Sequence, residues 1–177
     1  MITEFPNDPN NSIELEYRYY TDSVYELKVV KNEDSWCFQL KLTPLAIPVE
    51  KRFKSTLFEA TVEHPRCFKY SLNGRSAGYL QIGHQTWNNR IRIWDFLVYE
   101  DFRRSGIATK LMDLAKVEAQ KAGARMLVLE TQSCNVPAIK FYLKNGFQLI
   151  GFDLAHYSNN DVNRNEFRVE FGFELPQ

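Results

Sequence analysis

Trp94-Asp95-Phe96-Leu97-Val98 and, a short turn later, Arg103-Arg104-Ser105-Gly106-Ile107-Ala108 decide how this chain is read. The first string has the look of a strand's end. The second runs into an amphipathic helix predicted to begin near Ser105. Ile107, Leu111, Leu114, Ala115, Ala119 and Ala122 recur at helical spacing, Lys110, Asp113, Lys116 and Gln120 take the wet face, and Gly123 is placed as a stop. A helix N-terminus exposes unpaired N–H groups and a partial positive charge, so it binds phosphate oxygens. Gly106 has no Cβ to hold a ligand off, Ala108 has little more, and Arg103 and Arg104 add full charges. A strand, this loop and a helix in that order make a candidate phosphate site rather than two solvated arginines.

Upstream of this centre the chain reads as strands in hairpin order. Residues 68–72 lead into Asn73-Gly74, which supplies the positive φ angles of a tight turn, and 77–85 return. Trp87-Asn88-Asn89 turns the chain into a third strand over 90–99. Further back, Ile13, Leu15, Tyr17 and Tyr19 alternate with charged residues, and Trp36, Phe38, Leu40 and Leu42 repeat the period of two. Residues 43–48 carry two prolines and read as a loop, 49–60 read as a helix on Val49, Phe53 and Leu57, and 1–10 as a loose terminus. Downstream, 126–129 is a short apolar run with the look of a strand buried on both faces. Pro137 opens a helix that Gly146 closes, and strands follow at 147–151 and 167–173. The expectation is a single α+β domain over 1–177, built on one mixed, mostly antiparallel sheet flanked by helices.

Composition narrows the function classes. Lys+Arg and Asp+Glu are both 22, so no global field draws the chain to nucleic acid or membrane. No run approaches the roughly 20 apolar residues of a membrane span, and the N-terminal residues carry no basic or apolar secretion pattern. Cys37, Cys67 and Cys134 are odd in number and widely spaced, fitting reduced thiols in the cytoplasm. His64, His84 and His156 stand alone, so no metal is expected.

At this point a resemblance can be stated. The stretch 94–108 resembles the acetyl-CoA motif of the GNAT acetyltransferases, Gln/Arg-x-x-Gly-x-Gly/Ala, with Arg104 standing where many members carry Gly. Asn135, Ala138, Phe141-Tyr142 and Asn145-Gly146-Phe147 are similar to the superfamily's second signature. More narrowly, Leu129-Glu130-Thr131-Gln132 and Tyr157-Ser158-Asn159 resemble the streptothricin acetyltransferase branch.

The resemblance implies a GNAT-like fold and an acetyl-CoA-dependent transfer to a primary amine on a small polycationic acceptor. Its alternatives are a polyamine, another antibiotic, a protein amine, or a CoA-binding module without turnover; a homodimer stays open. It implies that backbone at Leu97 and Val98 pairs with the donor's acetyl and pantetheine arm and that N–H groups from Arg104 through Ser105, Gly106, Ile107 and Ala108 to Thr109 hold the pyrophosphate. Asn135, in the same block as Ala138, would contact the arm, and Tyr142 would protonate the leaving thiolate. Asp95 and Glu130 are candidates for the base or for anchoring the amine, each with a structural carboxylate as the competing reading. Tyr157 and Glu166 are candidates for the acceptor site. An acyl-cysteine route through Cys134 has no paired His in the sequence to support it.

Overall fold

Asn73 and Gly74 carry φ angles of 50° and 77°, so the turn expected between two strands forms as a left-handed pair. It joins β4 (Arg66–Leu72) to β5 (Arg75–Gln85), and β6 (Arg90–Val98) follows after a 3-10 turn that ends on Asn89 in the left-handed region. The computed structural model describes residues 1–6 and 13–176. The remaining elements are β1 (Ile2–Phe5), β2 (Glu14–Lys31), β3 (Trp36–Thr56), α1 (Ile107–Lys121), β7 (Met126–Gln132), α2 (Val136–Lys144), β8 (Gln148–Asp153), α3 (Asp161–Arg164) and β9 (Arg168–Glu174). The fold is a mixed sheet with a few helices.

These elements divide into two compact units, each assembled from separate stretches of chain. The first comprises Met1–Arg18, Arg52–Leu129 and Gly172–Gln177. Its strands lie in the order β1-β4-β5-β6-β7, antiparallel through β6 and parallel between β6 and β7. Its core gathers Leu15, Leu57, Cys67, Tyr79 and Leu97, with Phe5, Tyr17 and Tyr99 packed against them. The second comprises Tyr19–Lys51 and Glu130–Phe171, with strand order β7-β9-β8 and a small core of Tyr19, Val24 and Cys134.

Several expectations need correction. The stretch read as a loose terminus begins with β1, whose Ile2 pairs with Tyr70 and whose Phe5 packs edge-on against Phe58; residues 7–10 lie outside the described residues. The predicted loop at 43–48 and most of the predicted helix at 49–60 belong to β3, which pairs with β2 as a separate two-stranded ribbon closed by Asn32 N–H donating to Ser35 O at 2.9 Å. Residues four apart share a helix face, but they also share a strand face, so Val49, Phe53 and Leu57 could not separate the two. Pro44 and Pro48 have the same parity and withhold an N–H on one edge only, which a ribbon with a free edge tolerates. In α1 the buried set is Ile107, Leu111, Met112, Ala115, Glu118 and Ala119, while Ala122 caps the helix in the open. Glu118 survives burial because Arg66 and Lys121 both bond its carboxylate.

Gly78 fixes how β5, β6 and α1 meet. A Cβ there would stand 2.5 Å from Leu97 O and 3.3 Å from Leu111 Cδ1. Gly78→Ala should therefore push the end of β6 away and destabilise the protein by about 1–3 kcal/mol. Urea unfolding measures this, and an unchanged midpoint would show that the strands are not held in this contact.

Candidate functional site

Among the described residues, the registered parallel pairs of β6 with β7 run from Arg90↔Met126 to Arg92↔Val128, and β6 continues to Val98 against β5. On the β7 side, the backbone of Leu97 and Val98 lies beyond the last registered pair. These are the two positions expected to pair with an extended ligand. Leu97 itself is anchored by a side chain buried in the core.

The chain then passes through a 3-10 turn, Glu100–Phe102, into α1. Arg104 adopts φ 60° and Gly106 φ 79°, so the loop needs the left-handed region twice. Glycine is the natural residue for both, and the arginine at 104 keeps the conformation at a cost of about 1–2 kcal/mol. No side chain caps α1 and its first turn carries no acid, which leaves the leading N–H groups available to an anion. Ile107, fully buried, fixes the helix start, while Ala108 and Thr109 lie on its more open sides. The Arg103 guanidinium donates to Val98 O and Arg18 O and so clamps the turn. Ser105 Oγ likewise donates to Phe102 O.

Asp95 lies on β6, and a register shift decides which way it faces. Gln81 pairs with Asp95 but Ile82 pairs with Ile93, so Trp94 is a bulge residue with no opposite number. Cross-strand partners share a face. Without the bulge Asp95 would fall on Ile93's side; with it, Asp95 shares the face of Gln81, Tyr79 and Leu97. There it is 5% exposed and accepts a hydrogen bond from Tyr17 Oη at 3.0 Å. Burial raises its pKa, opposed by hydrogen bonds from Ser55 and Tyr17. Tyr17, Ser55 and Gln81 are site neighbours that sequence patterning did not single out.

In the second unit, Asn135 is the N-cap of α2. Its Oδ1 accepts from Ala138 N at 3.4 Å and its Nδ2 donates to Thr131 Oγ1 at 3.1 Å. Tyr142 is buried on the same helix with its ring near those of Phe141, Phe147 and Phe171. Burial pushes its phenol up, so it keeps its proton at neutral pH. Glu130 pairs with Arg168 at 2.7 Å and lies 3.9 Å from His156. Glu166 pairs with Lys51. Tyr157 is partly exposed, with its phenol pushed up by burial and then by Glu130, and its N–H donates to Asp161 Oδ2 at 2.8 Å. The cations Lys51 and Arg168, absent from the sequence reading, thus already occupy the two carboxylates expected at an acceptor site. Burial also raises the Cys134 thiol, which sits 3.2 Å from Tyr19 Oη and makes a poor nucleophile. A cavity of about 360 Å³ lined by Tyr20, Asp22, Pro48, Val136 and Lys140 includes none of the expected site residues. Among the described residues no cluster of His, Cys, Asp and Glu could hold a metal, and no helix is long and apolar enough to cross a membrane.

Comparison with known proteins agrees with this geometry. The chain is 38% identical over 85 residues to a streptothricin acetyltransferase of Streptomyces lavendulae, a match covering 48% of this chain and 45% of that one. The chain thus spans about half the length of the curated relatives it matches. The crystal structure of nourseothricin acetyltransferase superposes with a TM-score of 0.77 at 28% identity, covering 99% of both chains. A protein of Bacillus anthracis str. Ames, solved in complex with acetyl coenzyme A, superposes at 0.74 with 23% identity and shares the fold over 99% of this chain and 97% of its own. The family described as Acetyltransferase (GNAT) matches residues 27–147. That match, over more than half of the chain and across the end of β6 and the uncapped start of α1, places this protein in the GNAT acetyltransferase family.

Proposed function

We propose that this protein is an acetyl-CoA-dependent N-acetyltransferase that acetylates a primary amine of a small polycationic acceptor of the streptothricin type by direct transfer. The observation that carries the reading is the end of β6 at Leu97 and Val98, beyond its last registered pair with β7, leading into the uncapped N-terminus of α1. An acyl-pantetheine arm has amides that suit a strand edge, and a pyrophosphate suits helix N–H groups. Streptothricin as the acceptor is favoured by the relatives' names.

The chemistry sets requirements on the residues. An alkyl ammonium with pKa about 10.4 is neutral in about one molecule in 2,500 at pH 7, a cost of about 4.6 kcal/mol. A base takes one proton, the amine nitrogen attacks the thioester carbon, and a backbone N–H at Leu97 or Val98 stabilises the oxyanion. The C–S bond then breaks, the nitrogen loses its second proton, and Tyr142 protonates the thiolate. Asp95 and Glu130 are the candidates for the base. Asn135 borders the arm, and Tyr157 and Glu166 hold the acceptor. Because Lys51 and Arg168 neutralise Glu166 and Glu130, a polycation has to displace them, which favours testing less charged amines beside streptothricin.

Release of free thiol from acetyl-CoA on adding streptothricin tests the reading; binding of acetyl-CoA without thiol release for any amine would make the protein a binding module. Gly106→Val should weaken acetyl-CoA binding severely: a Cβ there meets no protein atom within 4 Å but stands in a ligand's approach, and a valine also strains the φ of 79° that shapes the loop. Equal calorimetric affinity of the two proteins would remove the loop from the donor site. Tyr142→Phe should lower kcat by about 10²-fold with little change in donor affinity. An unchanged rate, with chemistry rate-limiting, would exclude Tyr142 as the acid.

A further inference from the structure

Gln132 closes β7 two residues after Glu130, and residues two apart on a strand share a face. Tyr19 Oη donates to Gln132 Oε1 at 2.8 Å, and Cys134 Sγ lies 3.2 Å from the same phenol oxygen. Tyr19 and Cys134 are 7% and 2% exposed. Burial raises the pKa of both, so phenol and thiol each keep a proton at neutral pH. One arrangement satisfies both protons: the thiol donates to the phenol oxygen, and the phenol donates to the amide oxygen. With the amide turned round, the phenol would give its proton to sulfur, a weak acceptor, and the thiol proton would be stranded in a buried pocket. The chain of bonds therefore holds Gln132 Oε1 inward and turns Nε2 outward, where among the described residues it donates to none.

The surroundings of this chain are the acceptor candidates of the second unit. Glu166 and Tyr157 act electrostatically on Tyr19, Lys51 acts on Cys134, and Glu130 and Cys134 act in turn on Tyr157. The two carboxylates there are engaged, Glu166 by Lys51 and Glu130 by Arg168. What Gln132 offers a ligand is an N–H donor of fixed direction, and the complement of that donor is an oxygen rather than a second ammonium.

We propose that Gln132 is a specificity-determining residue whose Nε2 donates to an oxygen carried by the acceptor beside its reactive amine, with Tyr19 and Cys134 as the positioning residues that hold the amide. The inference rests on the acetyl-transfer reading and names the acceptor class within it: amines bearing a carbonyl, carbamoyl or hydroxyl oxygen, as opposed to bare polyamines. A site built on a directed donor rejects an analogue lacking the oxygen, because the donor is then left unmatched. Attraction between charges alone would instead rank acceptors by their net charge.

Streptothricin, a polycation that carries amide oxygens, and spermidine, a polycation without oxygen, separate the two. Wild type, Gln132→Glu, Tyr19→Phe and Cys134→Ser are compared by thiol release, with spermidine also read as an inhibitor competing with streptothricin. Wild type should favour streptothricin by about tenfold or more in kcat/KM. Gln132→Glu keeps the shape and exchanges the outward donor for a carboxylate. Its KM for streptothricin should rise about tenfold or more, while the KM or inhibition constant of spermidine stays or falls, since a carboxylate attracts any polycation. Tyr19→Phe lets the amide turn, so KM for streptothricin should rise about threefold to tenfold with kcat within about twofold and no response from spermidine. Cys134→Ser keeps a donor to Tyr19 and should stay close to wild type, and unchanged acetyl-CoA affinity shows that each variant is folded. A fall in KM for streptothricin in Gln132→Glu, or equal changes for the two polycations, would overturn the role of Gln132. Loss of kcat with both amines alike in Tyr19→Phe would overturn its positioning role. Thiol release from wild type without discrimination between the polycations overturns this inference alone, whereas no release with any amine overturns the acetyl-transfer reading and the inference with it.

Discussion

The structure depends on one constraint: β6 must end beside a helix start, at the close approach of β5, β6 and α1. Gly78 makes this approach possible, since any side chain there would meet Leu97 O and Leu111. The registered pairs with β7 run to Arg92, and the loop reaches α1 through two left-handed residues, Arg104 and Gly106. Arg103 then ties the turn back to Val98. Each feature is unfavourable or neutral alone: a strand end beyond its last registered pair, an uncapped helix, a strained arginine. Together they present a row of backbone donors and acceptors suited to an acylated, pyrophosphate-bearing ligand.

A second constraint is the bulge at Trp94. It changes which face the odd-numbered residues of β6 use and puts a carboxylate where an aliphatic residue would pack better. The hydroxyls of Ser55 and Tyr17 only partly compensate the desolvation of Asp95. Local compromise of this kind concentrates where a protein binds or reacts.

Much of this was legible in the residues and some was not. The helix stripe of α1, the Asn73-Gly74 turn, Pro137 at the start of α2 and Gly146 after it are local signals, and local signals survive translation into structure. The ribbon was misread because its evidence is non-local: 49–60 has spacing that suits a helix and a strand equally, and only pairing with β2 decides. The same holds for β1, which is too short to announce itself and exists because β4 offers it an edge. At the site, the phosphate loop was visible because strand, glycine and helix are contiguous. The face of Asp95 was not, because a bulge appears only in the register. Nor could spacing show that Lys51 would reach Glu166 or that Arg168 would reach Glu130.

The central claim is that backbone of β6 and of the α1 start holds the donor. The most direct measurement is an amide NMR titration of the protein with acetyl-CoA. The account predicts that the largest shifts fall on Leu97, Val98 and the N–H groups from Arg104 to Thr109, and that desulfo or dephosphorylated fragments reproduce only the part of the pattern next to the group they retain. Saturable binding with those amides unmoved and the shifts gathered elsewhere would contradict it.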